Sequence, residues 1–547
     1  MKDLLFLALA MLPWMAHAQY KSQVWSPDNG NGTYQNPVIN ADYSDPDVIA
    51  VGEDYYLTAS SFECFPGLPI LHSKDLVNWE ILSYALPHPY RGAMARGKGV
   101  WAPSIRYHNG EYYIYWGDPD RGVYRVKAKH PEGPWEKPVL VIKARGIIDP
   151  CPLWDDDGKC YLVNGWAASR SGFNSVLTVR ELSADGTYPV GDPVIVFDGG
   201  NDNHTAEGPK FYKRDGWYWI LCPAGGVAKG WQLAMRSKSP YGPYECKKVL
   251  SQGRTEVNGP HQGAWVHTAF GEDWFLHFQD KGCYGRVLHL QPVDWTSGWP
   301  IMGKKGQPVL TYRKPKSGST VIMNPLESDE FNRPRLGLQW QWEGPYDPLF
   351  GMPMANGMMR LYTYKLVQRA GVGDVIRPAQ QERNLWTAPN LLLQKTPADQ
   401  FTVTAKIRFA SKADHQYGGL IMMGQDYSDL VVERIGENFQ LQQRTCIGAD
   451  NKGKETVSVL ATLKPTARDQ IPYSPAIYLD IYLRMSVDHG KCRFAYSMNG
   501  KKFQDVGDIF TMKEGKWIGA KMGFVSEEIN IQSNCGWIDA DWFRVAK

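Results

Sequence analysis

Apolar residues along the first 300 positions come in short runs, too brief for helices and broken by Gly, Pro, Asn and Asp. One unit recurs: a tight turn with glycine, then aromatic residues, then an aliphatic one. Its copies are Gly52-Glu53-Asp54-Tyr55-Tyr56-Leu57, Asn109-Gly110-Glu111-Tyr112-Tyr113-Ile114 and Asp157-Gly158-Lys159-Cys160-Tyr161-Leu162. Two more are Asp215-Gly216-Trp217-Tyr218-Trp219-Ile220 and Gly271-Glu272-Asp273-Trp274-Phe275-Leu276. Asp-Gly and Asn-Gly between apolar runs are hairpin turns. A repeat of roughly 50 residues fits a four-stranded propeller blade. Five copies therefore predict a five-bladed β-propeller over residues 30–303.

The pattern then changes. Lys304-Lys305-Gly306-Gln307-Pro308 and Lys314-Pro315-Lys316-Ser317-Gly318-Ser319 read as a linker over 304–324. Beyond it, strict alternation marks Phe401-Thr402-Val403-Thr404-Ala405-Lys406-Ile407 and Ile477-Tyr478-Leu479-Asp480-Ile481-Tyr482-Leu483. Alternation with short turns predicts an antiparallel β-sandwich over 325–547. The fold class is all-β: a propeller followed by a sandwich.

The N-terminus stands apart. Lys2, the apolar run Leu4 to Leu12 and the small-x-small site Ala16-His17-Ala18 read as a signal peptide over 1–18. Export, periplasmic or extracellular, with cleavage near Ala18, is the expectation. The apolar run is too short to span a bilayer.

Composition adds three points. Net charge is +3 with both signs interspersed, so no nucleic-acid or membrane partner is called for. Aromatics reach 13%, with 21 Trp and 29 Tyr, which suits both sugar stacking and a β-rich fold. The nine cysteines form no metal-binding spacing, and most lie in strand-like runs, so buried free thiols are expected.

Seven to nine residues before each turn glycine, a short strand begins. The five starts are Asp45-Pro46, Ala102-Pro103, Asp149-Pro150, Glu207-Gly208-Pro209 and His261-Gln262-Gly263. In a propeller such positions are related by rotation and line the central channel. A lone Asp-Pro is most often a turn. Three acids converging on one channel repel one another, which points to function rather than stability. Clustered carboxylates serve metal ligation or glycosidic hydrolysis. No loop has the ligand spacing of an EF-hand, and Asp155-Asp156-Asp157-Gly158 reads as a solvated hairpin tip. Hydrolysis needs a protonated acid and an ionised base.

Asn36-Pro37-Val38-Ile39, Asp45-Pro46-Asp47, Val100-Trp101-Ala102-Pro103, Asp149-Pro150 and Thr205-Ala206-Glu207-Gly208-Pro209 together resemble glycoside hydrolase family 43. The resemblance implies an inverting hydrolase in which Asp45 is the general base and Glu207 the general acid. Asp149 would tune and orient Glu207. Inversion implies carboxyls about 6.5–9.5 Å apart. It further implies that Phe62 and Trp101 line the sugar pocket, with Arg286 near the acids. Many members place a histidine at the fifth-blade channel position, where it helps to hold a hydrated calcium ion. Here His261-Gln262-Gly263 puts Gln262 at that point, with His261 one residue earlier, and Gln262 is counted among the substrate-binding residues; a neutral glutamine can still bind water or a cation weakly, so no cofactor is called for and a channel calcium is left open. Asp541 is a candidate calcium ligand of the sandwich, although a lone Asp near a strand end is more often solvated.

The second half resembles the concanavalin-like sandwich of xylosidase-type members, in which a sandwich loop closes the pocket. The resulting expectation is exo release of α-L-arabinofuranosyl or β-D-xylosyl units from hemicellulose. The partner is an oligo- or polysaccharide; the oligomeric state is open. The alternative is a non-catalytic sugar-binding propeller and sandwich.

Overall fold

The computed structural model describes residues 20–92, 94–365, 367–368, 377–378, 384–470, 476–529 and 535–547. The expected signal segment lies outside these residues. Among them, helix is confined to Ala168–Ser171 and three 3-10 turns, and no helix is long and apolar enough to cross a membrane.

Five four-stranded antiparallel sheets form the first unit. Blade 1 holds Asp47–Val51, Asp54–Thr58, Gly67–Ser73 and Trp79–Leu86. Blade 2 holds Trp101–His108, Glu111–Asp118, Gly122–Ala128 and Val139–Lys143. Blade 3 holds Ile147–Trp154, Cys160–Trp166, Val176–Leu182 and Val194–Asp198. Blade 4 holds Lys210–Arg214, Trp217–Ala224, Trp231–Ser237 and Glu245–Ser251. Blade 5 holds His261–His267, Asp273–Asp280, Arg286–Asp294 and Ile301–Met302. Each repeated turn glycine closes the hairpin between the first two strands of its blade. The aromatic pairs that follow alternate across the strand and fill the gaps between blades, as Tyr55, Trp274 and Tyr34 do where blades 1 and 5 meet. Ile39 bridges Leu288 and ties the start of blade 1 to blade 5.

Among the described residues, the second unit is a sandwich of two eight-stranded sheets. Alternation is plain in Ile477–Asp488, where every second residue is buried. It is lost in Gln416–Met423 and Lys521–Glu528, which are buried along their whole length. One face of these strands packs on the sandwich core, and the other lies under Leu385, Ala388 and Leu391.

The 304–324 stretch differs from a free connector. Thr311–Arg313 pairs with Thr33–Gln35, and Lys314 Nζ contacts Asp28 Oδ2 at 2.5 Å and Asp75 Oδ2 at 2.8 Å. The two units are joined directly. Phe65 and Trp342 exchange backbone hydrogen bonds, and Val24 enters the sandwich core.

All nine cysteines are free; Cys246 and Cys535 are exposed. The acidic hairpin is only partly solvated. Asp155 is buried against Lys213 and Tyr218, while Asp156 stands in solvent. Asp541 is ion-paired with Lys406 at 2.5 Å.

Candidate active site

The first strand of every blade opens with the same irregularity. Ser44 pairs with Ser60 but Asp47 with Thr58, and Trp101 pairs with Gly117 but Ser104 with Tyr115. Ile148 and Cys151, Glu207 and Lys210, and His261 and Gly263 repeat the shift against their partner strands. One extra residue is inserted each time, a β-bulge. The bulged residues are Asp45, Ala102, Asp149, Gly208 and Gln262, with φ of 55°, 34°, 55°, 63° and 27°. Left-handed backbone is tolerated by Asp and costs other side chains roughly 1–3 kcal/mol. Five such bulges ring one channel mouth, with the strain falling on Ala102 and Gln262.

The ring sharpens the expected equivalence of the acids. Asp45 and Asp149 occupy the bulge itself. Glu207 stands one residue earlier, level with Ser44, Trp101, Ile148 and His261. Gly208 holds the bulge of blade 4, where a Cβ would lie 2.3 Å from the Gln262 side chain. Its bare N–H donates to Asp149 Oδ2 at 2.7 Å.

Asp45, Asp149 and Glu207 nevertheless line one cavity of about 280 Å³, together with Phe62, Trp101, Gln262 and Arg286. Every residue expected at the site is therefore present there. Asp45 Oδ2 accepts from the hydroxyls of Ser44 at 2.9 Å and Ser60 at 2.6 Å. Its Oδ1 accepts from Arg286 Nη1 at 3.0 Å, and the same nitrogen donates to Ser44 Oγ at 2.5 Å. These are hydrogen bonds to the charged form of a carboxylate.

Glu207 has the opposite surroundings. Burial, then the charges of Asp149 and Asp45, push its carboxyl up to about 8, with only Arg286 opposing. Burial and Asp45 push Asp149 up to about 7, against the Gly208 N–H, Lys210 and Arg286. The two acids titrate as a pair that holds a proton near neutrality. Gln262 Nε2 lies 3.4 Å from Asp149 Oδ2. His261 Nε2 lies 3.7 Å from Glu207 Oε1, and burial, then Arg286, lowers this imidazole to about 3, so it is neutral.

The cavity wall is aromatic. Phe62 and Trp101 meet edge-on at 6.4 Å, and Arg170 covers Trp101 at 5.3 Å. The sandwich supplies Trp517, edge-on to Trp101 at 6.2 Å and also lining the cavity. Its loop docks against Gly97, where a Cβ would lie 2.5 Å from Lys516. Trp517 was not singled out from the sequence, although a tryptophan framed by Gly515 and Gly519 in a polar loop is a usable signal. Ser44 and Ser60 carried none.

Residues 34–300 match the profile of Glycosyl hydrolases family 43, and residues 328–546 match the Beta xylosidase C-terminal Concanavalin A-like domain. The chain is 34% identical to a putative beta-xylosidase of Xylanibacter ruminicola, over 91% of this chain and 86% of the relative. It is 31% identical to a non-reducing end alpha-L-arabinofuranosidase of Bacteroides ovatus, over 76% and 78%. Among solved structures, the GH43B protein of a Bacteroides ovatus xyloglucan locus superposes with a TM-score of 0.77 at 26% identity, covering 94% of this chain and 99% of that one. A xylan beta-1,4-xylosidase from Bacillus halodurans superposes at 0.80 over 94% and 100%; at 24% identity it shows the fold alone.

Proposed function

The chain belongs to glycoside hydrolase family 43, and on that premise we propose that it removes single pentose units from the ends or branches of hemicellulose with inversion. Glu207 is the general acid in this reading, Asp45 the general base and Asp149 the residue that sustains the proton on Glu207. The observation that carries it is the contrast between two carboxyls on one cavity. Glu207 is driven to hold a proton at neutral pH, while Asp45 receives three hydrogen bonds suited to its charge. One acid and one base on opposite sides of a sugar is the arrangement that inverting hydrolysis requires. Glu207 protonates the departing glycosidic oxygen. Asp45 draws a proton from water as the water attacks the anomeric carbon. Arg286, bonded to Asp45 and Ser44, holds the base in place.

Exo action is supported by Trp517, which brings the sandwich against the pocket wall. The relatives named for xylosides and for arabinofuranosides both support a pentose. A sugar-binding propeller without catalysis would have no use for a carboxyl held protonated beside a charged one.

The deciding experiment is hydrolysis of nitrophenyl xylopyranoside and arabinofuranoside, followed by xylo-oligosaccharides, arabinan, arabinoxylan and xyloglucan. The wild type is expected to turn over at least one aryl pentoside. Glu207→Gln should lower kcat/KM by about 10²–10⁴-fold on substrates with poor leaving groups. Undiminished turnover by that variant overturns the assignment. Release of internal fragments rather than monosaccharide overturns exo action.

A further inference from the structure

The channel beneath the carboxylates carries a cation of the chain's own. Lys210 lies two residues beyond the bulge of blade 4 and is 1% exposed. Its side chain leaves blade 4, and Nζ donates to the carbonyl of Pro103 in blade 2 at 3.0 Å. Pro103 and Pro150 directly follow the bulged residues Ala102 and Asp149, and Ser104 Oγ joins their level by donating to Pro150 O at 2.6 Å. The ammonium thus lies inside the ring of blades, one residue below the acids. Its charge reaches Asp149 and the Cys151 thiol. Among the described residues it makes no contact ion pair. A buried ammonium with one carbonyl partner is costly unless negative charge surrounds it. Asp149 provides that charge.

A hydrated calcium ion does not suit this channel. Calcium takes six to eight oxygen ligands. A hydrated ion draws most of these from water and needs a side-chain anchor at the bulges, but Ala102 and Gly208 offer no side-chain oxygen, and Gln262 offers only its buried, unpartnered Oε1 while its amide nitrogen turns toward Asp149. A fixed positive charge already stands below them.

We propose that the Lys210 ammonium is the resident cation of the channel, in place of a divalent ion, and that it acts as a positioning residue which keeps Asp149 charged so that Glu207 keeps its proton. This rests on Glu207 being the acid. The charged groups facing Asp149 are Asp45, Glu207, Arg286 and Lys210; the nearby His261 is neutral and Cys151 is a thiol. Without the ammonium, the shared proton moves from Glu207 toward Asp149, and the leaving group loses its donor.

The first test needs no activity. Calorimetric titration of the metal-free wild type with calcium to about 1 mM, the weak end of protein affinities, should show no binding in the channel. Binding of one equivalent that Glu207→Gln or Asp149→Asn weakens overturns the proposal. The second test is the pH profile of Lys210→Met on aryl and alkyl pentosides. Its alkaline limb should move down by about one pH unit, and its rate deficit should grow about tenfold from good to poor leaving groups. An unmoved limb in a variant that melts like the wild type overturns the positioning role. If Lys210→Met does not fold, Lys210→Gln replaces it, and the calcium titration of the wild type still decides the cation. Turnover that survives Glu207→Gln removes the acid assignment and leaves that titration standing.

Discussion

Two buried clusters of charge flank Phe62, and they are built on opposite terms. On the channel side stand Asp45, Asp149 and Glu207 with Arg286. On the sandwich side stand Glu63 and Glu343 with Arg96, Lys521 and the Cys64 thiol. The channel cluster has more acids than neighbouring cations and opens to a cavity. The junction cluster is closed and answered. Burial works to raise Glu343, but ion pairs with Arg96 and Lys521 hold it below the ordinary carboxylate range. Glu63 is pushed up to about 7 by burial and by Glu343, and its Oε2 accepts from Gly97 N at 2.7 Å. Glu63, Cys64 and Glu343 are close enough to grip a metal, yet two of the chain's own cations already fill that role. Burial alone therefore does not mark a working site. Access and an unanswered charge do.

Substitution should separate the clusters most sharply at Asp45. Asp45→Asn removes the base and relieves repulsion, so kcat/KM should fall by about 10³-fold while the melting temperature holds or rises. Glu343→Ala should do the reverse. It strands Arg96 and Lys521 in the interior, a loss of roughly 3–5 kcal/mol of stability by denaturant titration. Glu63 can ionise to answer them, so the loss should be larger at pH 5 than at pH 8. A Glu343 variant as stable as the wild type but inactive would erase the distinction between the clusters.

Trp517→Ala tests how far the junction serves the pocket. Loss of one aromatic wall should weaken binding by roughly 1–2 kcal/mol, read as a 5- to 30-fold rise in KM with a smaller change in kcat. Glu343 and Trp517 both join sandwich to propeller, yet only Trp517 reaches the cavity. Equal effects on KM from the two variants would show that the wall is positioned as one piece.

Much of the propeller was legible because a blade is a local unit. Turn glycines, alternating apolar positions and the strand starts all lie within a short stretch of chain, so five copies revealed the ring and brought three acids to one mouth. The bulges were not legible. The Pro after Asp45, Ala102, Asp149 and Gly208 marks their level in retrospect, but only paired strands show that Glu207 stands one residue above it. The junction was beyond reach for a different reason. Glu63 and Glu343 are distant in sequence and belong to different folds, and no periodicity links them. Trp517 was hidden in the same way, because its partner Trp101 lies in the other unit. The alternation that identified the sandwich likewise failed in the strands covered on both faces.

The smallest expected effect is also the one that most directly tests the charge imbalance. The carboxyl of Glu207 is raised from about 4.5 to about 8 in the folded protein. The native state therefore keeps a proton that the unfolded chain releases above about 4.5. Stability falls as pH rises through that window, and the full penalty is reached only above about 8. Glu207→Gln has no proton to lose. Its melting temperature should match the wild type near pH 5 and exceed it by about 2–4 °C at pH 8.5. The side chain is 28% exposed, so water in the pocket screens part of the repulsion and keeps the gain modest. Glu343→Gln, measured alongside, should be less stable than the wild type at both pH values, because there the charge is answered. A gain from Glu207→Gln that is equal at pH 5 and 8.5 would mean that the carboxyl is not held protonated, and the contrast with Asp45 would lose its basis.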